Sequence, residues 1–121
     1  MPTTGKISYS DEGSSPECIV CLHGIGGDEK SFEPQIKELS KIFRVISWNM
    51  PGYNGSVTLE DYSFENLCLS LDEFLSDLNI KNVTLIGQSI GGMLAQEFYF
   101  RNSSKVKALV LIATTSAFGG K

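Results

Sequence analysis

Histidine, cysteine and long apolar runs are all scarce in this chain. Of 121 residues, one is histidine and three are cysteine. The cysteines, Cys18, Cys21 and Cys68, are odd in number and too sparse for a disulfide framework. Cys18 and Cys21 have the C-x-x-C spacing of metal knuckles and redox pairs, but both belong to the strand-like run Cys18-Ile19-Val20-Cys21-Leu22. A separation of three along a strand sends the two side chains to opposite faces. A disulfide or a shared metal is then geometrically poor, and core thiols are expected. No run approaches the roughly 18 apolar residues of a membrane-spanning helix, and the opening residues MPTTGKISYSDEG lack the apolar centre of a signal peptide. A cytoplasmic location and no membrane partner are the expectations. The net charge of −4 comes from 14 acidic and 10 basic residues with no basic patch or tail, which argues against a nucleic-acid partner. There are no internal repeats and no low-complexity linker.

What the chain does have is hydrophobic content, 41% of its residues, in short runs that alternate with helical patterns. That is enough for one domain with a real core. Residues 6 to 10 alternate and suit an edge strand, closed by the turn cluster 11 to 16. Further strands are expected over Cys18 to Leu22, Phe43 to Trp48, Val83 to Gly87 and Val106 to Ala113. Helical spacing appears over 31 to 42 (Phe32, Ile36, Leu39, Ile42), over 63 to 78 (Leu67, Cys68, Leu71, Phe74, Leu75, Leu78) and from Ser89 onward (Ile90, Met93, Leu94, Phe98). Pro34 fits only the first turn of the first helix, and Asp61 or Ser63 is placed to cap the second. Asp72, Glu73 and Asp77 read as the solvated face of the second helix. Residues 114 to 121 read as a small-residue loop. Continuously apolar strands alternating with helices predict an α/β fold with a mostly parallel sheet, helices on both faces, and the Val83 strand flanked by the Leu22 and Leu111 strands.

Two glycine-rich segments carry the functional signal. The first, His23-Gly24-Ile25-Gly26-Gly27, follows the apolar run that ends at Leu22. Three glycines in four positions there describe a backbone that turns tightly and comes close to something. A phosphate cradle is the alternative, but the segment is neither G-x-G-x-x-G running into a helix nor a pattern ending in G-K-[ST]. The second, Gly87-Gln88-Ser89-Ile90-Gly91-Gly92, sits between a strand and a helix, the context in which G-x-S-x-G has chemical meaning. Gly87 and Gly91 are expected to leave room for a strained strand-to-helix turn, Gly92 to let the helix lie close to the sheet, and Ser89 to be a backbone outlier with its hydroxyl exposed. The plainer alternative makes Ser89 an ordinary helix N-cap.

With both segments placed, the chain resembles the N-terminal half of an α/β-hydrolase-fold protein, in the branch of small esterases, enol-lactonases and carbon–carbon bond hydrolases. The matching pieces are Leu22 to Gly27, Trp48 to Ser56, Val83 to Gly92 and Leu109 to Ile112, which together cover most of the chain. The resemblance implies a partial α/β-hydrolase fold over residues 1 to 121, Ser89 as nucleophile, and the backbone N–H groups of Ile25 and Ile90 as the oxyanion hole. His23 matches the histidine that orients the oxyanion loop, catalysis by it being the alternative. Gly24, Gly26 and Gly27 would let that loop approach. The implied substrate is a small-molecule ester, lactone, thioester or activated ketone, hydrolysed through an acyl-enzyme with no metal and no cofactor. Asn49 stands where the family often has aspartate, and it reads as a turn residue.

The family's acid and histidine follow later strands, in the order Ser, Asp or Glu, His. The chain is therefore expected to be an inactive fragment of a longer hydrolase, with a lid and later strands lacking, and to self-associate or meet its missing half at an exposed sheet edge. A non-catalytic small-molecule binding protein on the same fold is the rival function.

Overall fold

The fold is known from a computed structural model that describes residues 3–4 and 7–112. Among the described residues six strands form one sheet: β1 (Thr3–Thr4), β2 (Ile7–Glu12), β3 (Cys18–Leu22), β4 (Arg44–Trp48), β5 (Val83–Gln88) and β6 (Val106–Ile112). Three helices accompany them, α1 (Glu33–Leu39), α2 (Phe64–Asp77) and α3 (Ile90–Arg101). The strand order is β1-β2-β4-β3-β5-β6. β1 and β2 pair antiparallel, as do β2 and β4, and every pairing from β4 to β6 is parallel. The strand that leads into Ser89, β5, lies between β3 and β6, as its apolar run at Val83, Leu85 and Ile86 predicts.

Period-two alternation divides the strand side chains between two cores. On one face Val20, Leu22, Ile46, Trp48, Val83 and Leu85 pack with Leu71, Phe74 and Leu75 of α2 and Leu94 and Phe98 of α3. On the other, Ile19, Cys21, Val45 and Ile86 pack with Ile36 of α1 and with Phe32 at its N-cap. Cys18 contacts the first core and Cys21 belongs to the second, so the C-x-x-C pair is split across the sheet. All three cysteines are free.

The helices end where local chemistry dictates. Ser63 caps α2 by accepting the Asn66 N–H at 3.1 Å, and Asn79, at φ 63°, occupies the left-handed region just past its end. Pro34 lies in the first turn of α1. α1 is shorter than the expected 31 to 42 because the chain turns out of helix after Leu39. Ile42 is consequently 68% exposed instead of continuing the buried face. The acidic row on α2 is not uniformly solvated, since Asp72 pairs with Lys105 at 2.6 Å. The expected loop 114 to 121 lies outside the described residues, as do Lys6 and Ala113.

Candidate active site at the C-terminal ends of β3 and β5

Parallel strands deliver their following loops to one end of the sheet, and two of those loops meet here. After β5 the chain turns through Ser89 into α3. Ser89 has φ 56° and ψ −121°, a conformation that L-residues with a Cβ seldom adopt, and its side chain makes no capping hydrogen bond to α3. The helix-cap alternative is thereby set aside. Ser89 is exposed, while Gly87, Gly91 and Gly92 are buried.

Close approach explains the glycines. A Cβ on Gly87 would come within 2.5 Å of the Gly91 carbonyl oxygen and of the Gly92 Cα, and one on Gly91 would drive into the carbonyl oxygens of Leu22 and His23. The first turn of α3 therefore rests directly on the backbone end of β3, a tighter constraint than crowding within the turn itself.

The second loop, residues 23 to 29, leaves β3 and lies against the serine. A Cβ on Gly24 would be 3.1 Å from Ser89 Cβ and 3.7 Å from Ser89 Oγ. Gly27 N–H donates to Gly24 O at 3.0 Å, closing a tight turn in which Gly26 has φ 83°. The side chain of Ile25 at the tip is 74% exposed.

His23 is buried, and both of its ring nitrogens are engaged. The backbone N–H of Met50 can only donate, so Nε2 accepts from it at 3.0 Å, and Nδ1–H donates to Gly24 O at 2.8 Å. The ring also lies 5.0 Å from that of Tyr53. Burial holds its pKa below the ordinary histidine value, against the smaller opposing effects of the Gly24 carbonyl, Asp28 and Glu29. A neutral imidazole with both nitrogens occupied cannot take a proton from Ser89. What it does is geometric. Gly24 O is held by His23 and by Gly27, and because the peptide is planar and trans, the Ile25 N–H of the same unit points the opposite way.

Asn49, expected as a turn residue, is instead fully buried. Its Oδ1 accepts the Glu29 N–H at 2.9 Å and its Nδ2 donates to Ser8 Oγ at 2.8 Å. Ser8 Oγ in turn donates to Asn54 O at 2.8 Å, and Ser56 Oγ donates to Asn49 O at 2.6 Å. Asn54 Nδ2 reaches Glu29 Oε1 at 2.8 Å. The asparagine thus joins β2, the 23 to 29 loop and the loop after β4. Only its place next to a strand end could have signalled this, since its partners are distant in sequence.

Two of the three thiols are buried. Burial pushes the thiol of Cys21 up to about 12 and that of Cys68 up to about 11, so both stay protonated at neutral pH. Among the described residues no group of three His, Cys, Asp or Glu is arranged to hold a metal ion, and no helix is long and apolar enough to cross a membrane.

The sheet order, the strained serine between buried glycines and the glycine loop against it define a recognisable class. Residues 17 to 120 match the family described as alpha/beta hydrolase fold, and the chain belongs to that family. It is 33% identical over 108 residues to the pimeloyl-[acyl-carrier protein] methyl ester esterase of Pseudoalteromonas atlantica, a match covering 88% of this chain and 40% of that protein. Among solved structures, a putative lipase from Acinetobacter baumannii superposes with TM-score 0.88 at 27% identity, over 98% of this chain and 42% of that one. The enol-lactonase of Burkholderia xenovorans does so with TM-score 0.85 at 25% identity, over 89% and 43%. The chain therefore spans about two fifths of the length of these relatives.

Proposed function

We propose that this chain supplies the nucleophile and the oxyanion hole of a serine hydrolase acting on a small ester, lactone, thioester or activated carbon–carbon bond. The observation that carries it is the backbone of Ser89, held at positive φ at the end of β5 with Gly24 against its hydroxyl. On this reading Ser89 Oγ attacks the substrate carbonyl as a base takes its proton, and negative charge builds on the carbonyl oxygen. The N–H groups of Ile25 and Ile90 stabilise that charge, the latter aided by its place at the start of α3. The carbonyl re-forms as the leaving group departs with the proton, and water then cleaves the acyl-enzyme by the same route. The names of the relatives, an esterase, a lipase and a lactonase, support carbonyl chemistry of this kind.

The base is not His23, which is the sole histidine. It comes from residues outside these 121, as does the acid that orients it, and the isolated chain hydrolyses simple p-nitrophenyl esters barely above background. The site serves in the cytoplasm. At β6, Val110 and Leu111 are 44% and 39% exposed, and the rest of the hydrolase or a second copy covers that edge. The test is hydrolysis of p-nitrophenyl esters by a protein in which this chain is joined to such a remainder. Ser89→Ala abolishes turnover while the fold persists. Undiminished turnover in Ser89→Ala refutes the assignment, and ester binding without turnover in the parent favours the binding-protein alternative.

A further inference from the structure

We propose that Asn49 is a positioning residue which, together with the backbone of Met50, clamps both ends of the loop that carries the Ile25 amide. This rests on Ile25 serving the site as an oxyanion donor, as read above. The loop begins at His23 and reaches Glu29. At its start, His23 Nε2 accepts the Met50 N–H at 3.0 Å, and at its end the Glu29 N–H donates to Asn49 Oδ1 at 2.9 Å. Two consecutive residues after β4 therefore hold two residues six positions apart on a neighbouring loop. His23 and Asn49 are both essentially inaccessible to solvent, at 1% and 0%, so these bonds do not compete with water.

The clamp is directional. Asn49 must accept from Glu29 through Oδ1, which leaves Nδ2 to donate to Ser8 Oγ, and Ser8 Oγ passes its own proton to Asn54 O. Asn54 closes the circuit by donating through Nδ2 to the Glu29 carboxylate. The Glu29 residue is thus held at its backbone by Asn49 and at its side chain by Asn54. Between the clamped ends, the Gly24 carbonyl is fixed by His23 and Gly27, and the exposed Ile25 stands at the tip that follows. An oxyanion donor needs this kind of preorganisation, because a loop that must settle during the reaction loses much of its stabilising effect.

An isosteric apolar residue at 49 keeps the volume and removes both side-chain bonds, whereas aspartate keeps the acceptor for Glu29 and loses the donor to Ser8. The experiment is residue-resolved amide hydrogen exchange on the 121-residue chain and on its Asn49→Leu and Asn49→Asp variants, alongside thermal melting. In Asn49→Leu the amides of Glu29, Gly27 and Met50 exchange about tenfold faster, while those of β5 and α2 keep their protection. Asn49→Asp restores protection at Glu29. Unchanged exchange at Glu29 in Asn49→Leu overturns the proposal, and so does acceleration spread evenly over the sheet and α2 in step with a lower Tm. If Asn49→Leu does not fold, Ser8→Ala weakens the same circuit from its far end, and unchanged exchange at Glu29 there counts equally against the clamp. The exchange readout does not depend on Ser89. Loss of the nucleophile assignment would show as hydrolysis surviving Ser89→Ala, with the clamp intact.

Discussion

The two loops that meet at Ser89 are held by opposite kinds of force. The turn from β5 into α3 is fixed by exclusion, because Gly87, Gly91 and Gly92 bring backbone against backbone and leave Ser89 no relaxed helical start. The loop after β3 is fixed by attraction, through buried hydrogen bonds in which His23 accepts from the Met50 N–H and the Glu29 N–H donates to Asn49. Steric exclusion is stiff and short-ranged, which fits the attacking role proposed for Ser89. Hydrogen bonds hold direction, which fits the oxyanion role proposed for the Ile25 amide. The contrast predicts that damage to the first loop shows as lost stability, and damage to the second as a smaller loss of stability joined by lost orientation.

The largest expected effect is at Gly91. A valine there puts its Cβ into the carbonyl oxygens of Leu22 and His23, both of which are backbone atoms that cannot swing aside. The helix must lift off β3, at a cost of about 3 kcal/mol, the upper end for overpacking. Urea denaturation of Gly91→Val against the parent measures it. A difference below about 1 kcal/mol would mean that the turn is not held by exclusion.

The steric turn was legible in the sequence, and of the polar loop the glycines and His23 were legible while its anchor at Asn49 was not. Gly87 to Gly92 is contiguous, so strand, serine, glycines and helix are read in one window. The same locality served the cysteines, where a separation of three was enough to place Cys18 and Cys21 on opposite faces. Asn49 has its partners 41 and 20 positions away, at Ser8 and Glu29, and nothing in the residues around it reports on them. Its neighbours Pro51 and Gly52 made a turn residue the natural reading, yet the turn begins just beyond it. Ile42 failed for a related reason. Its spacing continued the α1 face, but the chain leaves the helix to reach β4, and tertiary connection overrides periodicity.

The next effect is pH-dependent and belongs to the polar loop. Burial depresses the pKa of His23, opposed by Asp28 and Glu29, so as pH falls the unfolded chain takes up a proton before the folded one does. Its contribution to stability is complete above the unfolded value of about 6.5 and is lost as pH falls through the depressed folded value. His23→Gln cannot titrate. It should be less stable than the parent by about 2 kcal/mol at neutral pH, where the Met50 N–H loses a well-placed acceptor. That difference should shrink in acid as the parent loses stability. A constant gap between the two proteins from about pH 7.5 to about pH 5 would show that His23 is not held neutral.

A smaller effect tests the contact between the loops. Alanine at Gly24 brings a Cβ to 3.1 Å from Ser89 Cβ and 3.2 Å from the Gln88 carbonyl oxygen. That is tight but short of a collision, so the cost is about 1 kcal/mol, carried by a small shift of the 23 to 29 loop. Amide chemical shifts at Ile25 and Gly26 should change more than those at Leu85 and Ile86. The reverse pattern would mean that the serine turn, rather than the hydrogen-bonded loop, is the compliant partner.

The smallest expected effect is at Ser47, which separates useful buried polarity from idle buried polarity. Ser47 sits on β4 two residues before Asn49 and is just as inaccessible, yet among the described residues its Oγ has no hydrogen-bond partner. Asn49 and Ser47 are both desolvated, but only Asn49 recovers that loss through bonds to Glu29 and Ser8. An unpartnered buried hydroxyl is unfavourable, and removing it leaves a space smaller than a methyl group. Ser47→Ala should therefore stabilise the chain by about 0.5 to 1 kcal/mol, whereas truncation at Asn49 destabilises it. Parallel urea melts decide the matter. If Ser47→Ala is destabilising by as much as Asn49→Ala, the hydroxyl has a partner in solution, and burial of a polar group beside this site is not by itself a guide to which residues hold it together.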